Sequence, residues 1–145
     1  MSEQIVKKAT AIIAENTVKN GMFNDEICTL ALIDEDGYPT ASVITPAKSD
    51  GLRWLTLCTI LGENRARRAK NCGRASVSFN SPEYCINLVG DIEVITDPAV
   101  KSEMWYDGLA YHFPGGETDP NYCVLKFNTK RYKLFIGGEE AEGVI

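Results

Sequence analysis

Histidine is almost missing from this chain: His112 is the one imidazole in 145 residues. A histidine-built zinc site is thereby set aside, and no metal site is expected. Cys–His and Ser–His–Asp catalysis would have only that one ring to work with. The five cysteines, at 28, 58, 72, 85 and 123, are odd in number and never spaced as CxxC. Such spacing argues against a disulfide framework and reads as reduced thiols used as small core residues. No apolar run reaches the length that crosses a bilayer, and Met1 to Lys8 has no long apolar stretch of the secretory kind. Positive charge is also short, with 15 Lys and Arg against 20 Asp and Glu and a net charge of −5. An acidic surface argues against broad binding to nucleic acid or to an anionic membrane. These absences lead to the expectation of a cytoplasmic protein that handles a small-molecule ligand.

What is present is ordinary for a globular chain: 44% apolar and 24% charged residues, enough length for one domain over 1–145 with a real core. Ile5, Ala9, Ile12 and Ile13 recur at helical spacing and predict an amphipathic helix over about 3–19, ending near Asn20-Gly21. Strands are expected from there on. Ile27 to Ile33 is a nearly continuous apolar run, Asp34-Glu35-Asp36-Gly37 is turn chemistry, and Tyr38 to Thr45 is the hairpin partner. Lys48-Ser49-Asp50-Gly51 reads as a further turn into a strand from Leu52 to Thr59. A short helix follows and stops at Gly73, and Arg74 to Phe79 and Tyr84 to Ile95 are two more strands. Gly90, in the middle of the second, predicts a bulge or bend. Asp97-Pro98 caps a helix expected to run to about Gly108. Tyr122 to Phe127 and Arg131 to Ile136 read as a last hairpin through Asn128-Thr129-Lys130, and 139–145 as a frayed acidic tail. Strand candidates at hairpin spacing predict an all-β barrel of six to seven antiparallel strands over about 26–137, with accessory helices.

The scarce positive charge is not spread evenly. Arg65, Arg67, Arg68, Lys70 and Arg74 place five of the 15 basic residues inside one decade of sequence, on and just after the short helix. A helix that opens directly after a strand aims unpaired amides and a positive dipole end at one spot, and an arginine in its first turn adds a fixed charge. That combination holds a phosphate monoester. The competing reading is a solvated basic face.

The order of these segments resembles the pyridoxamine 5′-phosphate oxidase-like split barrels, and within them the small bacterial general stress proteins. The resemblance is carried by Asp36-Gly37-Tyr38-Pro39-Thr40-Ala41-Ser42-Val43-Ile44, by Trp54-Leu55-Thr56, and by Gly62-Glu63-Asn64-Arg65-Ala66. Asn71-Cys72-Gly73-Arg74-Ala75-Ser76-Val77, Asn87 to Val94 with its Gly90, and Met104-Trp105 with Phe113-Pro114-Gly115-Gly116 continue it. The match runs from about Ile27 to Gly137.

The resemblance implies an FMN-binding homodimer with the flavin in a cleft at the two-fold interface, and an oxidoreductase-like activity of unknown substrate. It implies cofactor contacts from Ser42, Val43 and Ile44 of the first hairpin, from Thr56 and Leu57 of the next strand, and from Arg65 of the basic helix; Arg68, one turn later on the same face, is the candidate substitute for a missing charge, and Trp105 a candidate for the border of the cleft or of the dimer interface. Two positions depart from the pattern. Ser42 stands where the family has an arginine, and Glu63 where the helix start has a serine. The chain after Ile136 is short and acidic, without the Arg-rich, Trp-bearing ending of a true pyridoxamine 5′-phosphate oxidase. The alternative is a non-catalytic module on the same fold that stores a flavin or binds haem, with the deazaflavin F420 as a further option. No residue is assigned as catalytic. Trp54 and Trp105 also read as core packing, and His112 as a structural residue of an aromatic loop or as an acid at a flavin edge.

Overall fold

A computed structural model describes residues 2–22 and 25–145. Helix α1 (Ser2–Glu15) leads into strands β1 (Cys28–Ile33), β2 (Pro39–Ile44), β3 (Pro46–Asp50) and β4 (Trp54–Ile60). Helix α2 (Asn64–Asn71), β5 (Arg74–Ser81), β6 (Tyr84–Ile95) and α3 (Pro98–Met104) follow. Two single turns of 3-10 helix, Asp107–Tyr111 and Gly116–Thr118, then precede β7 (Tyr122–Ile136) and β8 (Glu139–Val144). All pairings are antiparallel, and the sheet order is β2-β1-β5-β6-β7-β4-β3, with β8 added beside β7.

The two outermost strands of that order, β2 and β3, are consecutive in the chain and separated by Thr45 alone. One half of the segment pairs with β1 and the other with β4. The sheet therefore closes on itself through a single residue, and the result is a split barrel. Thr45 is pinned at the bend: its hydroxyl donates to the Glu26 carbonyl at 2.7 Å. Next to it, the Val18 amide donates to the Pro46 carbonyl at 3.0 Å.

The barrel interior is filled by alternate residues of each strand, among them Leu30, Leu55, Leu57, Val77, Phe79, Ile86, Leu88, Leu125, Phe127 and Leu134. Ile5, Ala9 and Ile13 of α1 join this core. Each large apolar side chain buried here contributes about 1.5–3 kcal/mol. A second, smaller cluster of Met104, Leu109, Phe113, Tyr122 and Val124 lies on the other face of β4 and β7, under α3 and the 3-10 turns.

Several expectations are corrected. Helix α1 stops at Glu15 rather than near residue 19, because Asn16 and Thr17 turn their side chains back onto the Ile12 and Ile13 carbonyls at 3.0 and 2.7 Å. Lys48 to Asp50 is strand, not turn, and the chain reverses at Gly51, whose φ is 56°. The expected last hairpin is one continuous strand, β7. Asn128 to Lys130 cannot form a tight reversal here: positive φ is confined to glycines among the described residues, and the Thr129 amide donates to the Arg53 carbonyl at 2.9 Å. The pairing shifts instead, Val89 facing Arg131 and Gly90 facing Thr129, so Lys130 is the extra residue of a bulge. Gly90 is required there, since a β-carbon would fall 2.1 Å from the Asn128 carbonyl oxygen. The acidic tail is ordered as β8, reached through Gly137 and Gly138 at φ 57° and 86°. Helix α3 ends at Met104, before Gly108, where Trp105 turns extended and buries its ring against Phe113 and Tyr122. With β3 and β8, the sheet counts eight strand segments against the six to seven expected.

Candidate functional site

The barrel's seam opens into a cleft at the end of β4. It has a volume of about 250 Å3 and is lined by Ile44 and Thr45 at the β2–β3 bend, Cys58, Thr59 and Ile60, Arg65 of α2, and Leu109, His112 and Phe113. Four elements converge because β4 runs directly into α2 and because Thr45 is held against its neighbours.

Arg65 is the charged anchor of this cleft. Its Nε donates to Ser42 Oγ at 3.0 Å and its Nη2 to the Val43 carbonyl at 2.7 Å. Two bonds to one strand fix a planar guanidinium and leave its remaining N–H groups for a ligand. Helix α2 starts beside it, with Glu63 as the N-cap residue and no side-chain cap. The leading amides of that first turn precede the first helical bond, from Arg67 N to Glu63 O at 3.1 Å. An anion at this spot meets those amides and Arg65, and also the exposed Glu63 carboxylate.

The other basic residues of α2 have different duties. Arg67 points away to Glu35 at 3.2 Å, and its guanidinium, after the residue's own backbone amide, holds the Glu35 carboxyl below the usual range. Arg68 reaches Thr40 Oγ1 at 3.3 Å, while its Nε is buried without a partner.

The geometry divides the residues singled out from sequence. Ile44 and Arg65 line the cleft, Ser42 and Val43 hold Arg65 there, and Arg68, one turn further along α2, reaches Thr40 of the same strand β2. Thr56, Leu57 and Trp105 sit behind the wall. Thr56 is wholly buried, accepts from the Lys48 amide at 3.2 Å and donates to Met104 Sδ at 3.1 Å. Leu57 is wholly buried in the barrel interior. Trp105 packs edge-on to Tyr122 at 5.4 Å and at 6.5 Å from Phe113, so it backs a cleft residue rather than lining the cleft.

Sequence reasoning missed Thr59, Thr45, Leu109 and Phe113 as cleft residues. The signal for Thr59 was its place: it is the last threonine of β4 before the basic helix, on the alternation of Leu55 and Leu57. No hydrogen bond among the described residues engages its hydroxyl, whereas that of Thr56 is doubly used. Burial pushes the Cys58 thiol up to about 12, against a smaller lowering by the Tyr122 hydroxyl, and Sγ lies 3.8 Å from the Met104 carbonyl. Cys28, near Arg65, is likewise pushed by burial to about 12 despite that arginine's opposing charge.

The loop that carries His112 and Phe113 is tied down at both ends. The amides of His112 and Phe113 both donate to the Leu109 carbonyl, at 3.0 and 2.9 Å. Asp119 accepts from the Gly115 and Asn121 amides at 3.0 and 2.9 Å, and these bonds, Asn121 foremost, hold its carboxyl below the usual range. Lys101 Nζ closes the same corner by donating to the Asp119 carbonyl at 3.0 Å. Among the described residues there is no cluster suited to hold a metal ion, and no helix long and apolar enough to cross a membrane.

The family model described as Pyridoxamine 5'-phosphate oxidase matches residues 16–135 of the chain. Solved structures share its fold. A Clostridium acetobutylicum protein related to general stress protein 26 of B. subtilis is 23% identical, with a TM-score of 0.84 over 100% of this chain and 97% of that one. A general stress FMN/FAD binding protein from Xanthomonas citri is 21% identical, with a TM-score of 0.71 over 100% and 96%. A heme binding protein from Mycobacterium smegmatis is 20% identical, with a TM-score of 0.70 over 97% of this chain and 57% of that one. No curated protein matches the sequence.

Proposed function

The chain belongs to the pyridoxamine 5′-phosphate oxidase family, and from that premise we propose that its cleft holds FMN by the phosphate and that the protein is an FMN-binding oxidoreductase-like member of the general stress type. The observation that carries the reading is the Arg65 guanidinium, clamped by Ser42 and Val43 beside the first turn of α2. A phosphate there meets a pre-oriented charge and backbone amides, and Thr59 adds a hydroxyl to the cleft lining. The apolar side chains of Ile44, Ile60, Leu109 and Phe113 suit one face of a flat ring. Thr56, Leu57 and Trp105 support this wall from behind. The Xanthomonas citri relative's name, an FMN/FAD binding protein, points the same way.

The residues present fit the phosphate end of the cofactor. The cleft, at about 250 Å3, falls below the roughly 300–1,000 Å3 of sites that enclose a drug-sized ligand. One copy therefore covers part of a flavin, and a homodimer completes the site. When bound, the flavin supplies the hydride and electron chemistry. The protein's own part is to grip the phosphate through Arg65, to keep water from the apolar wall, and to hold the neighbouring thiols protonated.

The non-catalytic alternative rests on a specific observation. Glu63 sits at the N-cap with its carboxylate exposed, and Ser42 supplies no second cation. Both reduce the grip on a dianion. Storage of a flavin, or of haem as in the Mycobacterium smegmatis relative's name, is the form this reading takes. Purified protein is tested by its visible spectrum and by thermal shift with added FMN. Yellow colour, or a melting point that rises with FMN concentration, is expected. Bleaching by NADH or NADPH then favours the enzyme over the store. A colourless protein whose melting point ignores FMN refutes both flavin forms.

A further inference from the structure

The cleft inverts the charge balance of the molecule. The chain carries 20 acidic residues against 15 basic ones, yet no Asp or Glu lines the cleft, and its two cation-forming side chains are Arg65 and His112. These come from different elements, α2 and the turn that follows Asp107–Tyr111, with Ile44, Ile60, Leu109 and Phe113 as the apolar surface beside them. We propose that His112 is a second oxyanion-recognition pole of this cleft, for a small ligand or substrate with an apolar body and a carboxylate or phosphate group. The inference rests on the cleft being the ligand site, and not on the ligand at Arg65 being a flavin.

Three features support a built pole over an incidental surface histidine. Its backbone is immobilised, since its own amide and that of Phe113 share the Leu109 carbonyl. Its ring stands edge-on to Phe113 with centroids 6.4 Å apart, so the imidazole is steered by a buried residue of the cleft wall. The loop beyond is fastened by the Gly116 amide on the Phe113 carbonyl at 3.0 Å and by Asp119 on the Gly115 and Asn121 amides. The remaining titratable group of the lining, the Cys58 thiol on β4, is occupied with the Met104 carbonyl and the Tyr122 hydroxyl and adds no negative charge. An oxyanion entering here meets a lining with two cation-forming side chains from different elements and no carboxylate.

Because the chain has one histidine, its ring protons give a single assignable set of NMR signals. The probe is inorganic sulfate, whose charge is constant over the working range, added to the full chain. Saturable movement of the His112 ring signals is expected, with sulfate affinity falling about fivefold or more in His112→Ala, the scale of an ordinary coupling. His112→Arg restores affinity, and Lys133→Ala, a surface control on β7, leaves it unchanged. Unmoved ring signals overturn the inference, as does a His112→Ala protein that binds sulfate like the parent. An equal loss in Lys133→Ala also overturns it, because general electrostatics would then explain the binding. Flavin binding is read separately from the visible spectrum, so either result can stand without the other.

Discussion

The β6–β7 ribbon and the cleft at the end of β4 are built from the same sheet and follow opposite rules. The ribbon pairs 12 residues of β6 with β7 around one bulge. Lys130 and Asp91 pair across its strands at 3.1 Å, and the one buried hydroxyl without a partner among its described residues is that of Thr129. The cleft gathers a clamped guanidinium and an unengaged threonine hydroxyl, beside a helix start whose N-cap residue, Glu63, makes no side-chain cap. Just beyond it lies a buried Arg68 Nε without a partner. Unmatched polar groups beside an open cleft are available to a ligand, whereas the buried Thr129 hydroxyl of the ribbon lies within the packed sheet.

The comparison is broken most severely at Gly90. Gly90→Ala forces a β-carbon into the Asn128 carbonyl, and we expect a loss of more than about 3 kcal/mol, or no folded protein, in urea denaturation. A tolerated alanine would mean that the ribbon is not the rigid half. At the cleft, Arg65→Ala is expected to weaken FMN by about 1.5–3 kcal/mol, the scale of a charged hydrogen bond, with little change in melting temperature. Fluorescence titration checks this against riboflavin, which lacks the phosphate and should be unaffected. Ser42→Ala removes one of the two bonds that orient Arg65. A loss of about 0.5–1.5 kcal/mol in FMN affinity is expected, and it should vanish in an Arg65→Ala background, as a double-mutant cycle would read out. Arg67→Ala breaks an exposed pair with Glu35, and both affinity and stability should move by less than about 0.5 kcal/mol.

A pH experiment sharpens the contrast from the barrel side. Burial raises the thiols of Cys28 and Cys58 to about 12 and that of Cys123 to about 11. A raised folded value means that the native state holds its proton after the unfolded chain has released it. The stability contributed is therefore full below the ordinary thiol value of about 8.5 and is lost as pH climbs toward the folded values. Melting temperature should fall through this alkaline window. Alkylation at neutral pH should label the exposed Cys85 and leave the buried Cys28 and Cys123 untouched until unfolding.

Much of the barrel was legible in the residues, and the reasons are local. The alternation of Tyr84 to Ile95 defines β6 to the residue, Gly90 announces its bulge, and Asp97-Pro98 caps α3 through the Ala99 amide at 3.2 Å. The failures are tertiary. Asn128-Thr129-Lys130 carries turn-like composition, but its amides pair with Arg53 and with β6, contacts that no local window contains. The tail has strand pairing without apolar alternation, because Glu139 to Val144 needs only the edge of β7. In the cleft, the basic helix was visible through charge density, and Ser42 to Ile44 through the hairpin. Thr56 and Thr59 differ in sequence only by one strand turn, yet odd and even positions of β4 face different clusters. Which threonine lines the cleft was a question of register that strand propensity does not answer.

Thr45 gives the barrel its only covalent stitch across the seam, and it lies in the wall of the cleft. A hinge of one residue transmits force without slack. If a guest prises the β1–β2 hairpin outward, the β3–β4 hairpin is pulled with it, and the pull arrives at the threshold of α2 where Arg65 stands. Arg65, bonded to β2 and reached through β4, touches both of the hairpins that Thr45 joins.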